Sequence, residues 1–239
     1  MKFIPIYKDY IWGGRNLEKL GKSLPEGTVA ESWELSCHHD GLSVVANGIF
    51  KNTIFNDIVK KLGKELLGSK LTKRQTDVFP LLVKFIDASS DLSVQVHPDD
   101  DYAASLGFGE YGKEEMWYII HAEPGAKLVY GLKPHVTAES FKKAIEDGTV
   151  ESCLNYIDVC AGDVINIHPG IVHSIGKGIV LAEIQQNSNI TFRVYDYNRI
   201  GKDGQKRPLH IDNAMDVISF CCSNRNEKCK GIKVELDNH

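Results

Sequence analysis

The sequence predicts a mainly β domain of the sandwich or barrel kind, and three features lead there. Short runs rich in β-branched and aromatic residues recur along the chain, Gly, Pro, Asn and Asp punctuate them, and only three stretches carry helical periodicity. The strands expected are "PLLVKFIDA" (80–88), "LSVQVHP" (92–98), "EMWYIIHA" (115–122), "AKLVYGL" (126–132), "DVINIHP" (163–169), "GIVLAEIQQ" (178–186) and "TFRVYDY" (191–197). Each is short enough for a strand and bounded by turn residues.

The helices follow from the 3.6-residue period. In "IFNDIVKKLGKELLG" (54–68), Phe55, Ile58, Val59, Leu62 and Leu66 fall on one stripe. "TAESFKKAIEDG" (137–148) opens on Thr137, a capping residue, and stops at Gly148. "HIDNAMDVISF" (210–220) is a shorter third helix, and "GIKVEL" (231–236) reads as a last strand in an otherwise polar tail.

A chain of 239 residues can bury a core without covalent staples. Its net charge of −4, with Lys and Arg scattered rather than striped, argues against nucleic-acid and membrane-surface partners. No apolar run approaches a membrane span. The six cysteines, Cys37, Cys153, Cys160, Cys221, Cys222 and Cys229, form no regular framework, and "MKFIPIYKDY" lacks the apolar stretch of a secretory leader. Reduced thiols in a cytoplasmic protein are therefore expected. Cys221, Cys222, Cys229 and His239 fit no common zinc spacing.

Ligand-grade side chains gather at three strand ends. In "SVQVHPDD" the strand period places Ser93, Gln95 and His97 on one face, opposite Val94 and Val96. In "GKEEMWY", Glu115 heads an apolar strand while Glu114 points the other way. In "GDVINIHPGIVHSIG", His173 follows a Pro169-Gly170 turn and opens the next strand. Two imidazoles, a carboxylate and an amide oxygen make a mixed N/O set that suits Zn²⁺, Fe²⁺ or Mn²⁺, and the lack of thiolates leaves the ion open to chemistry. A single strand histidine is more often a surface or hydrogen-bonded residue. Three such positions, each beside a turn and on its own strand, reverse that weighting. His121, His135, His168 and His210 lack comparable partners and are read as ordinary.

Gly162, Gly170 and His173 match the second half of the cupin double motif, and Gln95 with His97, then a late Glu115, is a variant of the first half. Together with "YIWGGRNL" (10–17), "AESWELSCHHDGLSVVANG" (30–48), "PLLVKFIDASSDLSVQVHPDD" (80–100), "GKEEMWYII" (112–120) and "EIQQNSNITFRVYDYNR" (183–199), the chain resembles the type I mannose-6-phosphate isomerases (phosphomannose isomerases), in their short bacterial and archaeal branch. The resemblance implies a cupin-type jelly-roll, with a catalytic domain over 1–220, helical insertions near 54–68 and 137–148, and 221–239 as a tail or remnant of a second small β domain.

It further implies one Zn²⁺ per chain, held by Gln95, His97, Glu115 and His173. The substrate is a sugar phosphate, with mannose 6-phosphate and fructose 6-phosphate interconverted through an enediol. Arg193 matches the catalytic arginine; being always charged, it suits stabilising an enediolate better than acting as a base. An Arg193 simply paired with Asp196 or Glu183 is the plainer alternative. Lys113 is a candidate for catalysis or phosphate binding, and Ser93 and Glu183 for substrate binding. The base stays open among Lys113, Glu183 and a zinc-bound water. Trp12 and Trp33 are expected to be structural, and Glu31 and Glu34 ordinary hydrogen-bonding residues. Two rivals remain: an iron oxygenase using His97, Glu115 and His173, and a non-catalytic sugar-binding or regulatory relative. The sequence carries no indication of oligomeric state.

Overall fold

The computed structural model describes residues 1–201, 203–220 and 228–231. Two antiparallel sheets dominate it. The larger has seven strands in the order Lys228–Lys230, Asp163–Ile167, Glu115–Ala122, Ile179–Gln186, Leu81–Ala88, Glu31–Leu35, Ile6–Lys8. The smaller has five, in the order Leu154–Asp158, Lys127–Leu132, His173–Ile175, Val94–Val96, Phe192–Tyr195. The chain therefore passes repeatedly between sheets, as a jelly-roll requires.

The main core lies between the sheets. Ile86, Trp117, Ile119, Ile165, Ile179 and Leu181 of the large sheet meet Leu128, Tyr130 and Ile175 of the small one. The outer face of the small sheet is covered by the helices Ala138–Glu146 and Ile211–Val217, with fully buried Phe141 in that second core. Strand alternation explains both layers: Leu128 and Tyr130 turn to the inner core while Val129 and Leu132 join the outer one, the shift falling at a bulge.

All seven expected strands form, and the mainly β architecture is borne out. Ile179–Gln186 forms the spine of the large sheet, in continuous register with Leu81–Ala88 from Ile179↔Ala88 to Gln186↔Leu81. The run 92–98 shrinks to Val94–Val96, because it leads into the turn that carries His97. At its far end Gly176 passes so close to the next strand that an added Cβ would sit 2.1 Å from the Lys127 carbonyl oxygen.

The helix expected over 54–68 is two pieces, Phe55–Leu62 and Lys64–Leu67. Gly63 separates them at φ 48°, ψ −118°, a conformation only glycine adopts cheaply. The helix over 138–146 behaves as its sequence says: the Thr137 hydroxyl and Ser140 complete a reciprocal capping box, and the chain leaves through Gly148 at φ 70°. The third helix is Ile211–Val217. The N-terminal strands through Val45, the strand Leu154–Asp158 and the helix Asp100–Ser105 were not foreseen. Of "GIKVEL" only Gly231 is described, and Cys221, Cys222 and His239 lie outside the described residues, as does most of the expected 221–239 tail.

Candidate active site

The two sheets bring all the singled-out residues to one end of the sandwich. Gln95 pairs in register with His173 on one side and with Arg193 on the other, so these three stand in a row across the small sheet. Ser93 precedes Gln95 by two, and its Oγ accepts from Arg193 Nε at 3.3 Å. From the large sheet, Glu115 stands at the first position of its strand, beside Gln185 and Ile167. Trp117, two residues on, packs edge-to-face on His173 with ring centroids 5.5 Å apart and joins the two layers.

His97, Glu115 and His173 converge, each offering a ligand atom within 4.8 Å of the others. His97 Nε2 lies 3.4 Å from Glu115 Oε1, and His173 Nε2 lies 3.7 Å from Glu115 Oε2. All three are buried. His173 Nδ1 is 2.8 Å from the Ile171 carbonyl oxygen, a contact that places its proton on Nδ1 and turns the Nε2 lone pair inward. Burial, with the charge of Lys113 added, pushes the His97 imidazole well below its ordinary range; burial brings His173 down to about 4. Both rings are thus held neutral, the form that ligates a metal.

Both Glu115 oxygens are buried; the Lys113 ammonium partners Oε1, and Oε2 has no hydrogen-bond donor among the described residues. Burial and the charge of Glu183 push this carboxyl up to about 7, and Lys113 Nζ at 3.1 Å pulls the other way. Three convergent donors, two neutral imidazoles and a carboxylate with one unpartnered oxygen, fit a divalent ion of the N/O-preferring kind. Gln95 stands beside them, its Nε2 3.4 Å from His173 Nε2.

Above the triad opens a cavity of about 280 Å³. Gln95 and Lys113 line its floor and also touch the triad, Lys113 Nζ being 3.4 Å from His97 Nε2. Two residues before Glu115, Lys113 would share its face by strand alternation only if the strand began early. The strand begins at Glu115; Lys113 gets there because its backbone N–H bonds the Pro98 carbonyl instead. Ser93, Thr191, Arg193 and Glu183 also line the cavity. A strand period of two would put Thr191, Arg193 and Tyr195 on one face, but a bulge between Arg193 and Tyr195 breaks the alternation, and Tyr195 packs with the outer core.

Several cavity residues were missed or read differently. Trp12 and Glu31 line the cavity, beside Tyr10, Lys84, Asn189 and Arg207. Trp33 stays behind the wall, donating Nε1–H to Glu31 Oε2 at 2.6 Å. Lys84 is buried and forms an ion pair with Glu183 at 2.8 Å, with Glu31 Oε1 at 3.7 Å. Burial alone would lower the Lys84 ammonium; the charges of Glu183, Glu31 and Glu115 hold it above its ordinary value. Glu183 is held low by Lys84 and Lys113 against its burial, and accepts from Trp117 Nε1 at 2.7 Å. Lysine inside the apolar run "PLLVKFIDA" was a readable signal. Arg207 lies in a polar loop with no pattern to mark it.

Arg193 makes no ion pair with Asp196 or Glu183 among the described contacts. Asp196 is taken by Arg207, whose Nε is 2.8 Å from Oδ2, and by Arg199. Arg193 instead donates to the Pro208 carbonyl at 2.8 Å and to Ser93. The cavity end near Ser93 therefore carries net positive charge. Glu114 does turn outward, where it meets His168 Nδ1 at 2.7 Å.

Known proteins resemble this chain over most of its length. Residues 1–118 match the family model for the catalytic domain of type I phosphomannose isomerase. The chain is 40% identical over 216 residues to mannose-6-phosphate isomerase ManA of Bacillus subtilis, covering 90% of this chain and 67% of that one. It is 42% identical over 211 residues to the mannose-6-phosphate isomerase of Streptococcus mutans, covering 88% and 65%. The crystal structure of a mannose 6-phosphate isomerase from Bacillus subtilis superposes with a TM-score of 0.85 at 36% identity, over 91% of this chain and 68% of that one. The chain thus spans about two thirds of the length of these relatives. Over that span sequence and fold agree, and the chain belongs to the type I phosphomannose isomerase family.

Proposed function

We propose that this chain is a zinc-dependent aldose–ketose isomerase acting on mannose 6-phosphate and fructose 6-phosphate. The observation that carries the reading is the buried convergence of His97, Glu115 and His173 beneath a cavity whose far end is cationic. His97 Nε2, His173 Nε2 and the Glu115 carboxylate would hold one zinc ion, with Gln95 as the adjoining amide ligand. When bound, zinc supplies a Lewis acid that polarises sugar oxygens at neutral pH.

The chain's own residues then divide the work. Arg207 binds the phosphate at the Ser93 end, where a guanidinium fork suits phosphate oxygens, and Arg193, bonded to Ser93 and in register with Gln95, stabilises the enediolate charge. Glu183, kept ionised by Lys84 and Lys113, takes the proton from C2 of the aldose and returns it to C1. Lys113 hydrogen-bonds the C1 carbonyl oxygen, where enediolate charge develops, gives it a proton and recovers one from the C2 hydroxyl, and Trp12 and Tyr10 close the side of the cavity against water.

The cavity's small size and polar walls suit a hexose phosphate rather than a macromolecule. No helix among the described residues is long and apolar enough to cross a membrane. Cys37, Cys153, Cys160 and Cys229 are free thiols, which supports a cytoplasmic setting.

The test is to strip the metal, add mannose 6-phosphate with and without Zn²⁺, and follow fructose 6-phosphate by NMR. Zinc-dependent product that disappears in His97→Ala supports the isomerase. A folded, zinc-loaded chain that makes no product overturns it in favour of a non-catalytic relative. Consumption of oxygen in the presence of iron would instead point to an oxygenase.

A further inference from the structure

The tight turn after Cys37–His38 places two imidazoles and two carboxylates together, away from the cavity of the triad. Successive residues in a strand normally point to opposite faces, yet the rings of His38 and His39 lie on the same side, with centroids 4.1 Å apart and planes 32° apart. Asp40 follows at once. Its Oδ2 is 3.5 Å from His38 Nδ1 and its Oδ1 is 3.4 Å from His39 Nε2. Glu110 arrives from a distant loop, with Oε1 2.8 Å from His38 Nε2 and 3.8 Å from His39 Nδ1. His38, His39 and Asp40 each offer a ligand atom within 4.8 Å of the others.

The two Asp40 separations, through His38 Nδ1 and His39 Nε2, fit what one ion imposes, the ion taking the Nδ1 lone pair that now accepts from the Asp40 backbone N–H at 3.1 Å. Glu110 sits at the opposite nitrogen of each ring and holds the His38 ring from behind. Tetrahedral bonds of about 2.0–2.1 Å put neighbouring N and O ligands roughly 3.3 Å apart. A buried His38 gives the cluster a fixed point, while His39, 75% exposed, is free to swing in without disturbing the core. A second feature of the same place is independent of these four. His38, His39 and Glu110 line a cavity of about 630 Å³, and its wall includes the Asn187 side chain, 5% exposed, with an Oδ1 that has no hydrogen-bond partner. Buried amide oxygens are rarely left so, and a hydrated cation beside them would answer it.

We propose that His38, His39 and Asp40, with the His38 ring positioned by Glu110, form a second divalent transition-metal site, taking Zn²⁺, Ni²⁺ or Cu²⁺. The imidazoles supply the selectivity for these ions over Mg²⁺ and Ca²⁺. The site is not independent of the substrate cavity, because Asn189, which lines that cavity, donates Nδ2–H to Asp40 Oδ2 at 2.7 Å. An ion drawing on the Asp40 carboxylate fixes the hairpin to the cavity rim through that bond.

Equilibrium dialysis of the full chain against buffered Zn²⁺ tests this, with bound metal counted by mass spectrometry. The expected result is that His39→Ala loses one equivalent relative to the wild type, while His97→Ala loses a different one and the double variant loses both. His39 is exposed, so its replacement leaves folding intact, and thermal melting in chelator verifies this. His135→Ala, another exposed histidine, keeps the full count. An unchanged count in His39→Ala overturns the proposal, and so does an equal loss in His135→Ala, which would mean surface binding only. Failure of the catalytic assignment is seen separately, as an unchanged count in His97→Ala.

Discussion

Lys84 Nζ lies 2.8 Å from Glu183 Oε1, and the two residues face each other as register partners across adjacent strands of the large sheet, both nearly excluded from solvent. An ion pair in such a place contributes little to stability as a pair, since desolvation offsets the attraction, but it is costly to break. Lys84→Met strands the Glu183 charge and is expected to destabilise the fold by about 3–5 kcal/mol. Lys84→Met with Glu183→Leu recovers most of that loss. Urea midpoints at constant slope, compared as a double-mutant cycle, check both values. A double-variant cost equal to the sum of the two single costs would mean that the pair does not act as a unit.

Metal linkage gives a second expectation. An ion that binds only the folded chain at about 100 times its dissociation constant stabilises it by about 2.7 kcal/mol. Zn²⁺ should raise the melting temperature of the stripped protein, and Glu115→Gln should lose most of that rise. The measurement is a thermal melt at fixed protein concentration and stepped free zinc. A rise of the same size in Glu115→Gln would remove this carboxylate from the ligand set.

How much of this was legible in the sequence depends on whether a residue's neighbours are local or distant. Gln95, His97 and Ser93 share a face because of a period of two within one strand, and His173 follows a Pro-Gly turn; both facts can be read along the chain. The capped helix over 138–146 is equally local. Glu31, Trp12 and Arg207 reach the cavity only because Glu31–Leu35 docks beside Leu81–Ala88 and the 200s loop folds back over the small sheet. Nothing in their own stretches encodes that, and the glycines and aromatics around Trp12 equally suited a structural reading. The N-terminal strands were missed for a related reason: pieces as short as Phe3–Ile4 and Val44–Val45 show no period until they pair.

Acid stability should depend on Asp196. Burial alone would raise its pKa, but hydrogen bonds and charge from Arg207 and Arg199 hold it below the usual carboxylate range. A depressed folded-state pKa means that its stabilising contribution is complete above the unfolded value, near 3.9, and is lost as pH falls through the folded value. Stability of the wild type should therefore fall as pH drops below about 4 more steeply than that of Asp196→Asn. Urea midpoints across that window decide it, and parallel curves would show that the Arg199 and Arg207 contacts contribute nothing to folding.

Arg207 offers the sharpest separation of binding from chemistry. It lines the cavity at the cationic end, and Asp196 fixes its guanidinium with Nε 2.8 Å from Oδ2. A charge-assisted hydrogen bond is worth about 1.5–3 kcal/mol, so Arg207→Ala should raise KM for the sugar phosphate about 10- to 100-fold. Because the phosphate does not react, the same bond is present in ground and transition states, and kcat should change little. Arg207→Lys keeps the charge but not the fork and should fall between the two. Steady-state kinetics with inorganic phosphate as a competitive probe give the answer, since its inhibition constant should weaken in parallel with KM. Arg199 still pairs with Asp196 in these variants, so an unchanged melting temperature separates lost binding from lost structure. A fall in kcat with KM and phosphate inhibition unaltered would move Arg207 from phosphate binding to the reacting end of the sugar.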